Sequence, residues 1–242
     1  MNFSIEITKK TDLSNLPKVK DVYITMLPGD DFRDVVAKAK ELVQFGSNPI
    51  PHFPARSIKN KGELKEYVHT CKDLGVKQAL VIGGSTQPVG DFHSSLQLLE
   101  TGFFEGLKIG IAGHPDGSPD ISDSDLEKAM KEKKPYADYI VTQWLLDVKL
   151  IANFISKQSL PVHVGITGPL KVSSLLKFAS IVGAKNSLNF LKSNATKAVN
   201  LLKPRDPNEL ILELKGHTSN FHIYTFGGLK ETNKWLVSNN YA

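Results

Sequence analysis

Residues 22–54 read VYITMLPGDDFRDVVAKAKELVQFGSNPIPHFP. This run opens with a β-branched and aromatic stretch, Val22–Leu27, and closes with a second one, Pro49–Pro54. Between them, apolar residues recur at helical spacing over Phe32–Val43, and Gly46 follows at a position suited to ending a helix. A strand, a helix and another strand in this order are typical of a βα unit in a parallel sheet.

The same alternation continues along the chain. Strands are predicted at Phe3–Thr8, Val22–Leu27, Pro49–Pro54, Ala79–Gly84, Lys108–Gly113, Tyr139–Trp144, Val162–Thr167 and Phe221–Phe226. Helices are predicted at Phe32–Val43, Leu64–Leu74, Ser94–Phe103, Asp125–Glu132, Val148–Lys157 and Val172–Val182, and a closing helix includes Asn233–Val237. The segment Lys185–Leu214 is expected to hold extra helices that Pro204 and Pro207 interrupt.

Eight strands that alternate with helices predict an α/β fold, a (β/α)8 TIM barrel, formed as a single domain by residues 1–242. An open doubly wound sheet is the main competitor. It would carry Gly-x-Gly-x-x-Gly after its first strand, and Gly83-Gly84 does not supply that spacing.

Composition and charge argue against several classes of protein. The 242-residue chain has a net charge of +5 and one cysteine, Cys71, which excludes an intramolecular disulfide. No apolar run approaches the roughly 20 residues of a membrane-spanning helix, and Glu6 lies where a signal peptide would need apolar residues. Lysines interleaved with acids, as in residues 63–66, indicate a solvated surface. We therefore expect a cytoplasmic protein that binds neither nucleic acid nor membrane.

Polar residues lie at the carboxyl ends of the predicted strands, where a TIM barrel places its functional groups. They are Glu6, Thr25, His52, Ser85, His114, Gln143, Thr167 and Tyr224. Glu6 stands between Ile5 and Ile7, so on a barrel strand it faces a dry environment. An unpaired carboxyl group there stays protonated and suits a general acid. The alternative is a structural carboxylate satisfied by a neighbouring lysine or by backbone.

Histidines and glycines on the same strands are interpreted as structural or as ligand-binding residues. His52 fits a hydrogen-bonded core residue as well as a functional one, while small residues around His114 let a ligand approach the backbone. His163, between two valines, is interpreted as structural. Gly83 and Gly84 leave bare backbone beside which a bulky planar or phosphorylated ligand fits.

Other kinds of site are not indicated. The chain has no His-Glu-x-x-His motif, and Asp30 and Asp31 precede a helix that they can cap, so no metal is predicted. Lys108 lies at the entry of its predicted strand, which disfavours a Schiff-base lysine, and a Gly-x-Ser-x-Gly elbow is absent.

Five segments carry a resemblance to a known family. They are residues 25–33 (TMLPGDDFR), 48–56 (NPIPHFPAR), 81–84 (VIGG), 110–117 (GIAGHPDG) and 141–144 (VTQW), the last followed by Asp147. Together they look like the flavin-dependent methylenetetrahydrofolate reductase family, in particular a shorter bacterial branch of it. The likeness extends from Phe3 to Trp235.

The resemblance implies an oxidoreductase of one-carbon metabolism and methionine biosynthesis. Members bind FAD, take hydride from NADH or NADPH, and pass it to methylenetetrahydrofolate, and they commonly form homo-oligomers. By this likeness Glu6 is the general acid, and Glu6, Gln143 and Tyr224 contact the folate. The likeness also assigns a set of residues to the FAD: Thr25, His52, Gly83, Gly84, Ser85, His114 and, near the diphosphate, Lys131 or its neighbour Lys133.

Two alternatives to the reductase stay open at this point. One is a non-redox, folate-binding one-carbon enzyme linked to demethylation. The other is a catalytically silent barrel that binds folate or a partner enzyme and regulates it. A flavin spectrum of the purified protein would separate the reductase from both.

Overall fold

A computed structural model describes residues 1–118, 121–170 and 206–241 of the chain. Within it, eight parallel strands form a closed barrel in chain order, with the last strand hydrogen-bonded to the first. The strands are β1 (Asn2–Thr8), β2 (Asp21–Thr25), β3 (Asn48–Pro54), β4 (Gln78–Ile82), β5 (Lys108–Gly113), β6 (Tyr139–Trp144), β7 (Val162–Thr167) and β8 (Asn220–Tyr224). The prediction of a (β/α)8 TIM barrel is confirmed. Its extent as one domain over residues 1–242 stays a prediction.

Three strands end two residues earlier than predicted. β2, β4 and β8 stop at Thr25, Ile82 and Tyr224. After β4 and β8 the backbone turns through positive φ angles, +90° at Gly84 and +43° at Phe226, which are incompatible with a β-ladder. These turns leave the residues beyond the strands free to shape the upper rim of the barrel.

Helices flank the barrel in the described residues. They are α1 (Phe32–Gln44), α2 (Lys61–Asp73), α3 (Ser95–Leu99), α4 (Asp123–Lys133), α5 (Val148–Ser156), α6 (Pro207–Leu214) and α7 (Leu229–Ser238). Asp31 caps α1 as predicted, because its carboxylate accepts a hydrogen bond from the Arg33 backbone N–H. None of these helices is long and apolar enough to cross a membrane.

Two helix predictions need correction. Pro207 does not interrupt a helix but begins α6, where its missing N–H costs no hydrogen bond. α3 is one short helix of five residues rather than the longer one predicted at 94–103. The predicted helix at 172–182 and the segment 185–205, with Pro204, lie outside the described residues.

The strands divide their side chains between two cores. One set, including Ile5, Ile7 and Val22, is buried in the large core cluster that also contains helix residues. A second cluster, here called the tyrosine layer, consists of Tyr23, Ile50, Leu80, Tyr139 and Val141. Its members alternate with the first set along their strands, so they fill the barrel interior. Above them, at the carboxyl ends of the strands, the interior becomes more polar.

Candidate functional site

Glu6 is the centre of a polar cluster inside the barrel. It lies on β1 in register with Tyr23 on β2 and Tyr224 on β8, so these side chains share the interior face. Its Oε2 is 3.2 Å from His222 Nε2 and 3.5 Å from His52 Nε2. The Glu6 side chain is 18% exposed, whereas both histidines are buried. We call Glu6, His52 and His222 the glutamate cluster.

The surroundings of Glu6 favour its ionised form. Burial raises the pKa of Glu6, but the charge interaction with His52, hydrogen bonding and charge interaction with His222, and a hydrogen bond from Thr25 lower it by more. The net result is a pKa below the ordinary value of 4.5. The expectation of a protonated carboxyl group is therefore wrong for the free protein, because Glu6 is not unpaired.

His52 is buried without a hydrogen-bond partner for either ring nitrogen. Burial lowers its pKa to about 4, since the nearby Glu6 carboxylate offsets only part of the desolvation and His222 lowers the pKa further. The imidazole is therefore neutral near neutral pH. A buried polar group without a partner is costly, and it is explained most simply by a ligand that supplies the partner.

His222 is the member of the cluster that sequence reasoning missed. It is fully buried, and its Nδ1 lies 3.1 Å from Ser4 Oγ. A neutral ring that donates from Nε2 to Glu6 and accepts at Nδ1 from Ser4 satisfies both contacts. The signal was present in the sequence, because His222 precedes Tyr224 by two residues and therefore points to the same face of β8.

Ser4, His222 and Glu6 follow one another as in a nucleophilic triad, but the serine is not placed for catalysis. Ser4 is buried, and its Oγ also lies 3.5 Å from the Phe221 carbonyl. A nucleophile must reach the substrate, and here only the Glu6 end of the line is exposed. The serine therefore orients His222.

Two further predicted residues lie on the interior face beside the cluster. Tyr224 donates a hydrogen bond from its hydroxyl to the Thr142 carbonyl at 2.9 Å, so its hydroxyl is already engaged. Its ring stands edge-on to His222 with centroids 4.7 Å apart. Gln143, on β6, has a buried Oε1 with no hydrogen-bond partner. Gln143 and His52 thus both offer unpaired polar atoms in the upper half of the barrel.

The residues expected near a flavin diphosphate do not join this cluster. Lys131 is exposed on α4, whereas Lys133 is buried, and burial lowers the pKa of Lys133. His114 follows β5; burial, and secondarily the charge of Lys133, lower its pKa to about 4. The structure therefore favours Lys133 over Lys131 as the neighbour of His114.

The turn after β4 is partly covered by protein. The Arg56 backbone N–H donates to the Gly83 carbonyl at 3.0 Å, and its Nη1 donates to the Gly84 carbonyl at 3.4 Å. A Cβ atom at Gly84 would lie 3.5 Å from the Arg56 Cβ. The bare backbone of Gly83, Gly84 and Ser85 was expected to receive a flavin; Arg56 packs beside Gly84, whereas the space next to Gly83 is open and Ser85 is exposed.

Solved structures of other proteins share the fold of this chain. No protein-family model matches this chain. Three solved structures that it resembles have TM-scores of 0.55 to 0.56 and show the same fold. Oxaloacetate acetylhydrolase is 11% identical, over 95% of this chain and 76% of its own. The tryptophan synthase α-subunit from Pyrococcus furiosus is 12% identical, over 96% and 90%. 2,3-Dimethylmalate lyase, a PEP mutase/isocitrate lyase superfamily member, is 8% identical, over 100% and 80%.

These findings overturn the resemblance to flavin-dependent methylenetetrahydrofolate reductases. Two of these three structures, the oxaloacetate acetylhydrolase and the 2,3-dimethylmalate lyase, bear the names of enzymes that act on organic acids, so the predictions of an oxidoreductase, FAD, NAD(P)H and a folate substrate are wrong. The two folate-based alternatives gain no support either. The quoted segments misled because they are short and lie mostly at strand ends, where TIM barrels of many functions concentrate glycine, proline and polar residues.

Possible metal ligands are not grouped in the described part of the chain. In residues 1–118, 121–170 and 206–241, no group of three or more His, Cys, Asp or Glu side chains is arranged to hold a metal ion. Of the glutamate cluster, only Glu6 is a carboxylate, and both imidazoles approach the same oxygen atom of it. The donors there are arranged around a carboxylate rather than around a cation.

Proposed function

We propose that this protein is an enzyme that cleaves or rearranges a small organic acid by proton transfer, with Glu6 as the catalytic base. The observation that carries the proposal is the partly exposed Glu6 carboxylate, next to a buried histidine whose two ring nitrogens form no hydrogen bond. The names of the similar structures, a lyase and an acetylhydrolase acting on malate-type and oxaloacetate-type acids, support this substrate class.

Glu6 suits a base in this site because its carboxylate is ionised before substrate arrives. In cleavage of a β-hydroxy acid, the Glu6 carboxylate accepts the hydroxyl proton and the carbon–oxygen bond becomes a carbonyl. The bond between the hydroxyl-bearing carbon and its neighbour breaks, and the electron pair stays on the neighbouring carbon, which carries the carboxylate group. That carbon then takes the proton held by Glu6, so one carboxyl group serves both half-steps.

The neighbours of Glu6 have separate roles in this proposal. His222 keeps the carboxylate oriented through its Nε2 hydrogen bond. His52 is neutral near neutral pH and offers a nitrogen to the substrate. Gln143 presents an amide whose buried oxygen accepts a hydrogen bond from a substrate hydroxyl group. Binding of substrate would then satisfy the polar atoms that the free protein leaves unpaired.

The proposal keeps the cytoplasm as the compartment. Its support is the single cysteine, Cys71, which is buried in the core, where burial raises its thiol pKa to about 12. A thiol in this state neither crosslinks nor reacts readily.

The test is turnover of 2,3-dimethylmalate and oxaloacetate by the purified protein, with solvent deuterium in the new carbon–hydrogen bond of the acid released from 2,3-dimethylmalate as a second readout. Glu6→Gln keeps the shape of the side chain but cannot accept the proton. We expect it to lower kcat by about 10²- to 10⁴-fold. Glu127→Gln, at an exposed glutamate on α4, is the control and should match the wild type.

Two results would overturn the proposal. One is a wild-type protein that turns over neither acid. The other is turnover that Glu6→Gln leaves intact, since this would place the chemistry away from the glutamate cluster.

A further inference from the structure

The Arg56 side chain, just after β3, is held by hydrogen bonds to backbone carbonyl groups. Its Nε donates to the His93 carbonyl at 3.1 Å and its Nη1 to the Gly84 carbonyl at 3.4 Å. No carboxylate among the described residues forms an ion pair with it. Arg56 follows His52 by four residues, so it belongs to the same end of the barrel as the glutamate cluster.

The loop after β4 holds this arginine from both sides. The Arg56 N–H donates to the Gly83 carbonyl, and the Arg56 carbonyl accepts from the Val89 N–H, both at 3.0 Å. The loop also passes so close to Lys59 that a Cβ atom at Gly90 would lie 1.9 Å from the Lys59 carbonyl oxygen. Only glycine allows this approach, so the backbone of Arg56 is fixed before any ligand arrives.

Two other cations near this end of the barrel are neutralised by acids. Lys9, after β1, lies 2.9 Å from Asp30 and 2.6 Å from Asp34. Arg33, at the start of α1, pairs with Glu66 at 2.7 Å and with Asp31 at 3.4 Å. Carbonyl oxygens orient the Arg56 guanidinium without cancelling its charge, which leaves that charge available to an anion.

We infer that Arg56 binds a carboxylate group of the substrate. A guanidinium has five N–H donors, and the carbonyls of His93 and Gly84 use two of them. The others can meet both oxygens of a carboxylate, and a fixed fork binds it with little loss of conformational freedom. This inference rests on the proposed function, because it names the group that holds the organic acid while Glu6 acts on it.

The experiment measures binding, so it does not depend on turnover. Oxalate, a small dicarboxylate, and oxamide, its uncharged diamide, are titrated calorimetrically into the wild type, Arg56→Met, Arg56→Lys and Arg33→Met. We expect the wild type to prefer oxalate. Arg56→Met should weaken oxalate binding by about 10- to 100-fold, the range for a lost charged hydrogen bond. Arg56→Lys should recover part of it, and Arg33→Met should retain it.

The comparison of the two ligands separates recognition from folding. Loss of the preference for oxalate, with oxamide affinity unchanged, supports the inference, because a collapsed loop would weaken both ligands. No preference for oxalate in the wild type, equal preference in Arg56→Met, or tighter binding of inorganic phosphate than of oxalate would overturn it. If oxalate binding depends on Arg56 but no acid is turned over, the proposed function fails and the carboxylate site stands. If turnover is observed and Arg56→Met leaves KM unchanged, the carboxylate site fails alone.

Discussion

The tyrosine layer and the glutamate cluster occupy the same barrel interior but differ in how their polar atoms are satisfied. In the tyrosine layer, the Tyr23 hydroxyl donates to the Tyr139 hydroxyl at 3.2 Å, and both rings are buried. In the glutamate cluster, His52 is equally buried but has no hydrogen-bond partner. A closed network contributes to stability, whereas unpaired buried nitrogens reduce it and are retained where a ligand uses them. Under the proposed function, the difference separates the half of the interior that stabilises the fold from the half that binds the substrate.

Removing a ring from the tyrosine layer should have the largest effect on stability. Tyr139 is fully buried, stacks on His163 with centroids 4.6 Å apart, and packs against Gly110. Tyr139→Ala leaves a cavity and an unpaired Tyr23 hydroxyl, so we expect the free energy of unfolding to fall by about 3–5 kcal/mol. Urea unfolding monitored by circular dichroism measures it.

The control for this change is Tyr136→Ala, at a tyrosine that is 43% exposed just before β6. Its expected cost is below about 0.5 kcal/mol, as for most surface substitutions. Equal costs for Tyr136→Ala and Tyr139→Ala would show that the tyrosine layer is not a packed core.

The fold could be predicted from the sequence because its signals are local. Alternating strand and helix patterns placed all eight strands, and β5, β6 and β7 have the predicted bounds. Strand ends at Thr25, Ile82 and Tyr224 were missed because the turns that end two of them depend on backbone conformation at Gly84 and Phe226.

The site could be predicted only in part. The sequence placed Glu6 and His52 at the carboxyl ends of their strands, but the face that each side chain takes and the ionisation of Glu6 depend on which groups surround them. The decisive neighbour, His222, lies 216 residues away along the chain, and only barrel closure brings it to 3.2 Å from Glu6. The chemistry inferred from short strand-end motifs was wrong, because fold and function vary independently in TIM barrels.

Acid should weaken the protein through its buried histidines, and His52 is the one of these in the glutamate cluster. The ordinary pKa of histidine is 6.5 and that of His52 in the fold is about 4, so the unfolded chain takes up this proton at a higher pH than the native state. Stability from His52 is therefore complete above pH 6.5 and declines as the pH falls towards 4, by about 3 kcal/mol in total. Glu6 affects stability at lower pH than His52 does. Its lowered pKa stabilises the fold above pH 4.5, and that contribution is lost as the pH falls through the pKa of Glu6 in the fold.

Unfolding free energies measured across this range test the assignment. His52→Leu should show a decline that is shallower by about 3 kcal/mol between pH 6.5 and 4. His69→Asn, at an exposed histidine of α2, is the control and should keep the wild-type profile. A profile for His52→Leu that parallels the wild type would mean that His52 takes up its proton without penalty in the fold.

The two histidines of the glutamate cluster offer the finest comparison, because they touch the same oxygen of Glu6 yet should differ in their effect on stability. His222→Leu removes the partner of both Glu6 and Ser4, so we expect a loss of about 1–3 kcal/mol at neutral pH. His52→Leu removes two unpaired nitrogens from a buried position, so it should cost under about 0.5 kcal/mol or stabilise the protein. If His52→Leu destabilised the fold as much as His222→Leu, His52 would be a structural residue. The contrast between the tyrosine layer and the glutamate cluster would then be wrong, because it depends on His52.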